Sequence, residues 1–311
     1  PLVHTLNLAH IAPLSSVWAG PARNDHLEGP PLVLATTRGH TPFRLSTHIG
    51  DVGHTLIVGP TGAGKSVLLA FIAAQFHRYE NAQVFAFDKG RSIRAACLGL
   101  EGVVYDLGSK ADLSFQPLRD LEAPEDKARA QRWLLGLLAQ EGVTADPPIK
   151  EAVWSALSSL AAAPTAERTL TGFSLLVQDR SLRNALKPFT VEGAFGDLFD
   201  ADKEVFSFSN LVCFEMEELM RQQSAIAPAL TYLFDRLEER FNGNPTLLLL
   251  DEAWLFLDNP MFSGRIRDWL KTLRKKNVSV IFATQSLSDV QASPIAPAII
   301  ESCPSRIFLP N

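Results

Sequence analysis

Gly59-Pro60-Thr61-Gly62-Ala63-Gly64-Lys65-Ser66 fits the phosphate-loop pattern G-x-x-x-x-G-K-S/T at every fixed position. Thr55-Leu56-Ile57-Val58 before it reads as a short buried strand, and Val67 to Ala74 after it reads as a helix. The loop's chemistry needs both neighbours. Glycines let the chain curl so that successive backbone N–H groups point inward at phosphate oxygens. The helix that follows adds the positive end of its dipole at the same spot. The nucleotide-contacting set is therefore Gly59, Thr61, Gly62, Ala63, Gly64, Lys65, Ser66 and Val67. Lys65 is placed to reach the β- and γ-phosphates of ATP, and the Ser66 hydroxyl to ligate Mg²⁺.

Working outward, a second apolar strand, Gln83-Val84-Phe85-Ala86-Phe87, follows the helix and ends at Asp88. Strand, helix and strand at this spacing make a βαβ unit, hence an α/β fold with a mainly parallel sheet flanked by helices. Upstream, residues 31–36 and 42–46 read as two strands joined by a turn around Arg38-Gly39, after a loop-rich start with prolines at 13, 21, 30 and 31. Downstream, from about 117 to 200, the period changes. Apolar residues recur at helical spacing over 128–140, 149–162, 170–177 and 181–186, with no convincing strand. The parallel-sheet rhythm returns at 211–216, with a helix over roughly 227–241 and the strand Thr246-Leu247-Leu248-Leu249-Leu250. A helix over 263–276 and strands over 278–283 and 306–309 complete it. The expected division is 1–40 as an N-terminal remnant, 41–116 and 201–311 as the ATPase core, and 117–200 as an all-helical insertion.

With 311 residues the chain is long enough for one large α/β domain carrying such an insertion. No apolar run approaches the roughly 18 residues needed to span a bilayer. Pro1-Leu2-Val3-His4 lacks both an initiator Met and the layout of a signal peptide, which reads as a piece of a longer protein. Cys97, Cys213 and Cys303 are far apart and suggest neither a zinc site nor a disulfide framework, which fits a cytoplasmic compartment. The net charge of −5 removes bulk electrostatics as an argument for DNA binding, though not a local contact in a pore.

Asp251 and Glu252 end the four-leucine strand. A carboxylate pair there falls on the edge where open α/β sheets bind ligands. Asp251 is expected in the Mg²⁺ shell, and Glu252 is expected to orient and polarise the water that attacks the γ-phosphate. The competing reading is a helix-capping Asp beside a surface Glu. Gln285, in Ala283-Thr284-Gln285-Ser286, also ends a strand, where an amide can touch the γ-phosphate or the water; a plain turn is the alternative. Asp88 reads equally as nucleotide-proximal or as a polar exit from its strand. Arg267, Lys271 and Arg274 share one face of the helix before Gln285, with Lys275 and Lys276 near its end. That is either a solvated basic stripe or an arginine finger offered to a neighbouring subunit, with Arg274 as the candidate. His54 reads as structural, and Trp133, Trp154 and Trp269 as core or helix-packing residues.

Pro42-Phe43-Arg44-Leu45 and Gly50 through Ser66 resemble the entry to the ATPase domain of conjugal-transfer, TrbE-like assembly ATPases of type IV secretion systems. Phe87-Asp88-Lys89, Leu250-Asp251-Glu252-Ala253-Trp254, Trp269 through Asn277, Ala283-Thr284-Gln285-Ser286 and Ile307-Phe308-Leu309-Pro310-Asn311 resemble later motifs of that family in the same order. The resemblance runs from about residue 40 to the end and is weakest in the insertion. It implies a RecA-like core of the FtsK/HerA kind, preceded by a separate N-terminal domain. It implies a homo-hexamer at the inner face of the bacterial inner membrane, acting with other secretion components in pilus biogenesis and substrate transfer. It also places the Gln285 strand between the phosphate-loop strand and the Asp251 strand. Two rival readings remain: a DNA pump of the coupling-protein kind, and an assembly scaffold gated by ATP binding.

Overall fold

Runs of apolar residues without polar alternation need cover on both faces, and five strands of this chain receive it. The computed structural model describes residues 3–11, 18–108, 113–253 and 260–310; Pro1, Leu2, Pro13, Trp254 and Asn311, quoted above, fall outside them. The five are β3 (Thr55–Val58), β4 (Gln83–Asp88), β6 (Leu211–Glu215), β7 (Thr246–Leu250) and β8 (Val278–Thr284), each buried at every position. Two half-covered strands, β5 (Val103–Asp106) and β9 (Ser305–Phe308), complete a seven-stranded sheet in the order β5-β6-β4-β7-β8-β3-β9. Every ladder in it is parallel. β8 lies between β3 and β7, the placement the family resemblance implies. Upstream, β1 (Val33–Thr36) and β2 (Pro42–Leu45) form a separate antiparallel hairpin whose turn contains Arg38-Gly39, as read from the sequence.

Helices cover both faces. α1 (Thr5–Ile11) precedes the hairpin, and α2 (Lys65–Phe76) lays Leu69, Ile72 and Phe76 against Ile57, Ala86 and Leu249. α3 (Arg94–Gly99) follows β4. Between β5 and β6 the regular elements are helical: α4 (Pro124–Gln140), α5 (Pro147–Leu160), α6 (Leu170–Leu176), α7 (Arg180–Leu186) and α8 (Gly196–Phe199). Their starts follow side-chain capping chemistry. Asp146, Thr169 and Asp179 each accept hydrogen bonds from first-turn backbone N–H groups. A bridge between Ser114 and Val205 brings the two ends of this helical stretch together.

After β6 come α9 (Glu217–Met220), α10 (Gln223–Glu238), α11 (Pro260–Thr272), α12 (Leu287–Ala292) and α13 (Ala296–Ser302). Phe234 and Trp269, from α10 and α11, share a core with Phe87, Phe214 and Leu250 of the sheet and with Leu134, Leu157 and Phe173 of the helical stretch. Each leucine of β7 is fully buried, which stabilises the fold by roughly 1.5–3 kcal/mol per side chain.

α10 starts four residues earlier than its apolar pattern suggests and contains Pro228. A proline there leaves the carbonyl of Ser224 without its helical donor. The Gln140 side chain of α4 supplies one at 2.7 Å, and the Trp133 indole donates to the Pro228 carbonyl at 2.9 Å. Two side chains of the helical stretch thus hold the helix that covers the sheet.

Candidate active site

The sheet brings three strand ends to one edge. β3 ends at Val58 and passes into the phosphate loop, β7 ends at Asp251-Glu252, and β8 ends at Thr284-Gln285. Gly62 and Gly64 take φ of +86° and +88°, and a Cβ at either would meet nothing within 4 Å. Their conformation needs glycine and their surroundings leave room for a ligand. α2 then starts at Lys65 with no side-chain cap on its first turn and no acidic residue in it. Its exposed N–H groups and dipole are therefore directed at whatever fills the loop.

Five side chains converge there. Lys65 is buried, with Nζ 3.2 Å from Glu252 Oε1 and 3.8 Å from Asp251 Oδ1. Gln285 Nε2 donates to the same Glu252 oxygen at 2.8 Å. Thr61 Oγ1, inside the loop, donates to Gln285 Oε1 at 3.0 Å. A continuous path thus runs from loop to amide to carboxylate to loop lysine. The Thr61–Gln285 link spans 224 positions of chain, and no pattern in the sequence signals it.

Glu252 adopts φ +51°, a left-handed backbone that costs a non-glycine residue roughly 1–2 kcal/mol. Its neighbours hold it there: Asp251 N donates to Phe87 O of β4, and Ala253 N donates to Ala283 O of β8. Strain of this kind persists only where the surroundings fix it, and it concentrates at functional sites.

Asp251 is 2% exposed, and its Oδ1 accepts no hydrogen bond among the described residues. Burial pushes its carboxyl up to about 6, against the pull of Lys65 and with help from Asp88 and Glu252. A buried carboxylate oxygen without a donor is costly unless a cation meets it. Ser66 stands half-buried at the second residue of α2. This donor set, a buried carboxylate with one oxygen that accepts no hydrogen bond and a hydroxyl beside an open amide cradle, fits Mg²⁺ and a polyphosphate.

The other candidates fall elsewhere. Asp88 is fully buried; its carboxylate accepts from Ser92 Oγ and from Ile93 N at 2.8 Å, fixing the loop after β4. The polar-exit reading thus matches its contacts, although its charge still reaches Asp251. Arg274 follows α11 in a short 3-10 turn, Leu273–Lys276, before β8 begins. It therefore lies at the opposite edge of the sheet, with Nη1 3.8 Å from Asp51 Oδ2. The length of β8, about 20 Å, separates it from its own chain's phosphate loop. Arg267, Lys271, Lys275 and Lys276 are exposed beside it. His54 is fully buried and accepts from Val280 N, in line with a structural role. Trp133 and Trp269 are buried, whereas Trp154 is 38% exposed and lies under Lys127 of α4. All three cysteines are free and buried.

A model of the TraG P-loop domain matches residues 177–311, which include Asp251, Glu252 and Gln285 and begin beyond the phosphate loop. Over its whole length the chain is 46% identical to the conjugal transfer protein TrbE of Rhizobium radiobacter. Over 98% of its length it is 30% identical to the type IV secretion system protein virB4 of Bartonella quintana. The chain is a homologue of the TrbE and VirB4 proteins. It spans 39% of each of these two relatives. The structure of VirB4 of Thermoanaerobacter pseudethanolicus matches with a TM-score of 0.71 at 19% identity, covering 93% of this chain and 85% of that one. The plasmid coupling protein TrwB in complex with ADP and Mg²⁺ matches with a TM-score of 0.54 at 17% identity, covering 81% and 69%. Both share the parallel-sheet P-loop fold. Among the described residues no helix is long and apolar enough to cross a membrane.

Proposed function

We propose that this chain binds and hydrolyses ATP and that the cycle drives a type IV secretion machine. The convergence of Lys65, Glu252 and Gln285 on the mouth of an open phosphate loop carries this reading. Gly59, Thr61, Gly62, Ala63, Gly64 and Val67 offer the loop and first-turn backbone to the phosphates. Lys65 Nζ leaves Glu252 to balance the γ-phosphate charge. Ser66 Oγ and the Asp251 carboxylate would hold Mg²⁺, which would supply charge neutralisation to the phosphates. Glu252, freed from Lys65, orients the attacking water and takes its proton on the carboxylate oxygen that Gln285 does not engage, as the water oxygen bonds to the γ-phosphorus and ADP leaves. Gln285 Nε2 keeps that carboxylate in place, and Thr61 ties the amide to the occupied loop.

The names of the homologues, a conjugal transfer protein and type IV secretion system proteins, support secretion as the destination of the energy. In the full-length protein we place this chain in the cytoplasm, peripheral to the inner membrane, as the motor of a homo-hexamer. Residues 41–116 and 201–311 form the ATPase core, and 117–200 the helical insertion. Arg274, at the far edge of the sheet, then serves a neighbouring subunit's phosphate loop. Phosphate release from purified protein with Mg²⁺-ATP tests the reading: wild type turns over and Lys65→Ala does not. Binding of ATP by wild type with no phosphate release would favour a nucleotide-gated scaffold instead.

A further inference from the structure

The site has a direction. Glu252 and Gln285, which face the γ-phosphate in the reading above, sit at the ends of β7 and β8, on one side of the phosphate-loop strand β3. The nucleoside end of a bound triphosphate must then leave the loop on the other side. One strand lies there, the edge strand β9. Strands in a sheet are about 4.8 Å apart, so β9 stands roughly 10 Å from β8 and 14 Å from β7, the reach of a nucleoside triphosphate.

The end of β9 presents an aromatic ring at that place. Phe308 is 59% exposed and pairs in register with Val58, the last residue before the loop. It makes no ring contact among the described residues. Its neighbours are fixed against the loop. Leu309 N donates to Val58 O at 2.9 Å, and a Cβ at Gly59 would come within 2.8 Å of the Leu309 side chain. Gly59 is thus needed for β9 to close on the loop, and this closure sets the position of Phe308 relative to the phosphates. Ile307 packs into the core beside β3. Phe308, the next residue, points to the other face, as strand alternation requires.

We propose that Phe308 is the stacking platform for the nucleobase, and so a binding residue for the substrate of the hydrolysis assigned above, on which the inference rests. A flat exposed ring at the base end of the cradle binds by stacking, which every base accepts and purines accept best. Calorimetric titration of the protein with ATP and with inorganic tripolyphosphate, which has no base, provides the test. Phe308→Ala should weaken ATP binding about tenfold, within the roughly 5- to 150-fold that loss of one base–aromatic stack entails. Tripolyphosphate should bind wild type and variant alike. Phe308→Trp should keep wild-type ATP affinity, with indole emission that ATP quenches and tripolyphosphate does not. Equal weakening of both ligands would reduce Phe308 to a prop for the loop and overturn the proposal, as would no change in either. Neither readout depends on turnover, so a wild type that stacks ATP without hydrolysing it would count against the ATPase reading alone.

Discussion

The two ends of β3 and β8 treat polar groups in opposite ways. At the C-terminal end, Lys65, Thr61, Glu252 and Gln285 meet one another beside an open amide cradle. At the N-terminal end, His54 is sealed in with its Nδ1 accepting from Val280 N, while His48 contacts Ser279 and stacks on His26. Each end leaves a buried atom without a hydrogen bond among the described residues: Asp251 Oδ1, which has only Lys65 Nζ at 3.8 Å, and His54 Nε2. The difference is charge. A neutral ring nitrogen left unpaired costs a modest desolvation penalty, whereas a carboxylate oxygen costs much more and calls for a cation. Burial serves the fold at one end, and at the other it prepares a group for a ligand.

Arg274 offers the largest way to break this contrast, because a residue at the quiet edge is assigned to a neighbour's chemistry. Arg274→Ala should lower turnover by roughly 10³–10⁵, the range of arginine fingers. Specific activity should rise with protein concentration in the wild type only. Concentration-independent rates in both would confine catalysis to a single chain. Next in size, Gln285→Ala removes the donor that holds Glu252 once Lys65 has turned to the phosphates, and should slow hydrolysis by about a hundredfold with ATP affinity kept. An unchanged rate would leave the amide as a turn residue.

The smallest effect sharpens the N-terminal side. Burial lowers His54 from 6.5 to about 4 and His48 to about 3, so both are neutral in the folded chain at pH 7. Below pH 6.5 the unfolded chain takes up protons that the folded chain refuses. Stability therefore falls as the pH drops from 6.5 through the depressed values. For His54 alone the loss at pH 5 is about 2 kcal/mol. Denaturant melts at pH 7 and pH 5 should show this, and His54→Asn should shrink the difference by about that 2 kcal/mol, leaving the share of His48. An equal pH dependence in that variant would remove His54 from the account.

Much of this was legible in the sequence, because local chemistry carried it. Four consecutive leucines before Asp251 left no reading but a strand covered on both faces, and Gly62 and Gly64 marked a loop that needs unusual backbone. What stayed hidden is long-range or conformational. β5 is only Val103–Asp106, an edge strand with a half-buried pattern, and gives no run to detect. The helix read as starting near 227 begins at Gln223 instead, with Pro228 inside it; the donor that makes this proline tolerable comes from Gln140, 84 positions from its acceptor. The positive φ of Glu252 follows from the grip of β4 and β8 on its flanking residues, which no one-dimensional pattern encodes.

The central claim is that Glu252 is the group at this edge that moves a proton during hydrolysis. Glu252→Gln preserves shape and the contact with Gln285 while removing the basic oxygen. Single-turnover phosphate release, measured alongside ATP binding on the full-length protein, tests it most directly. The account predicts retained ATP binding with phosphate release slowed by roughly 10²–10⁴. Release at the wild-type rate would contradict it.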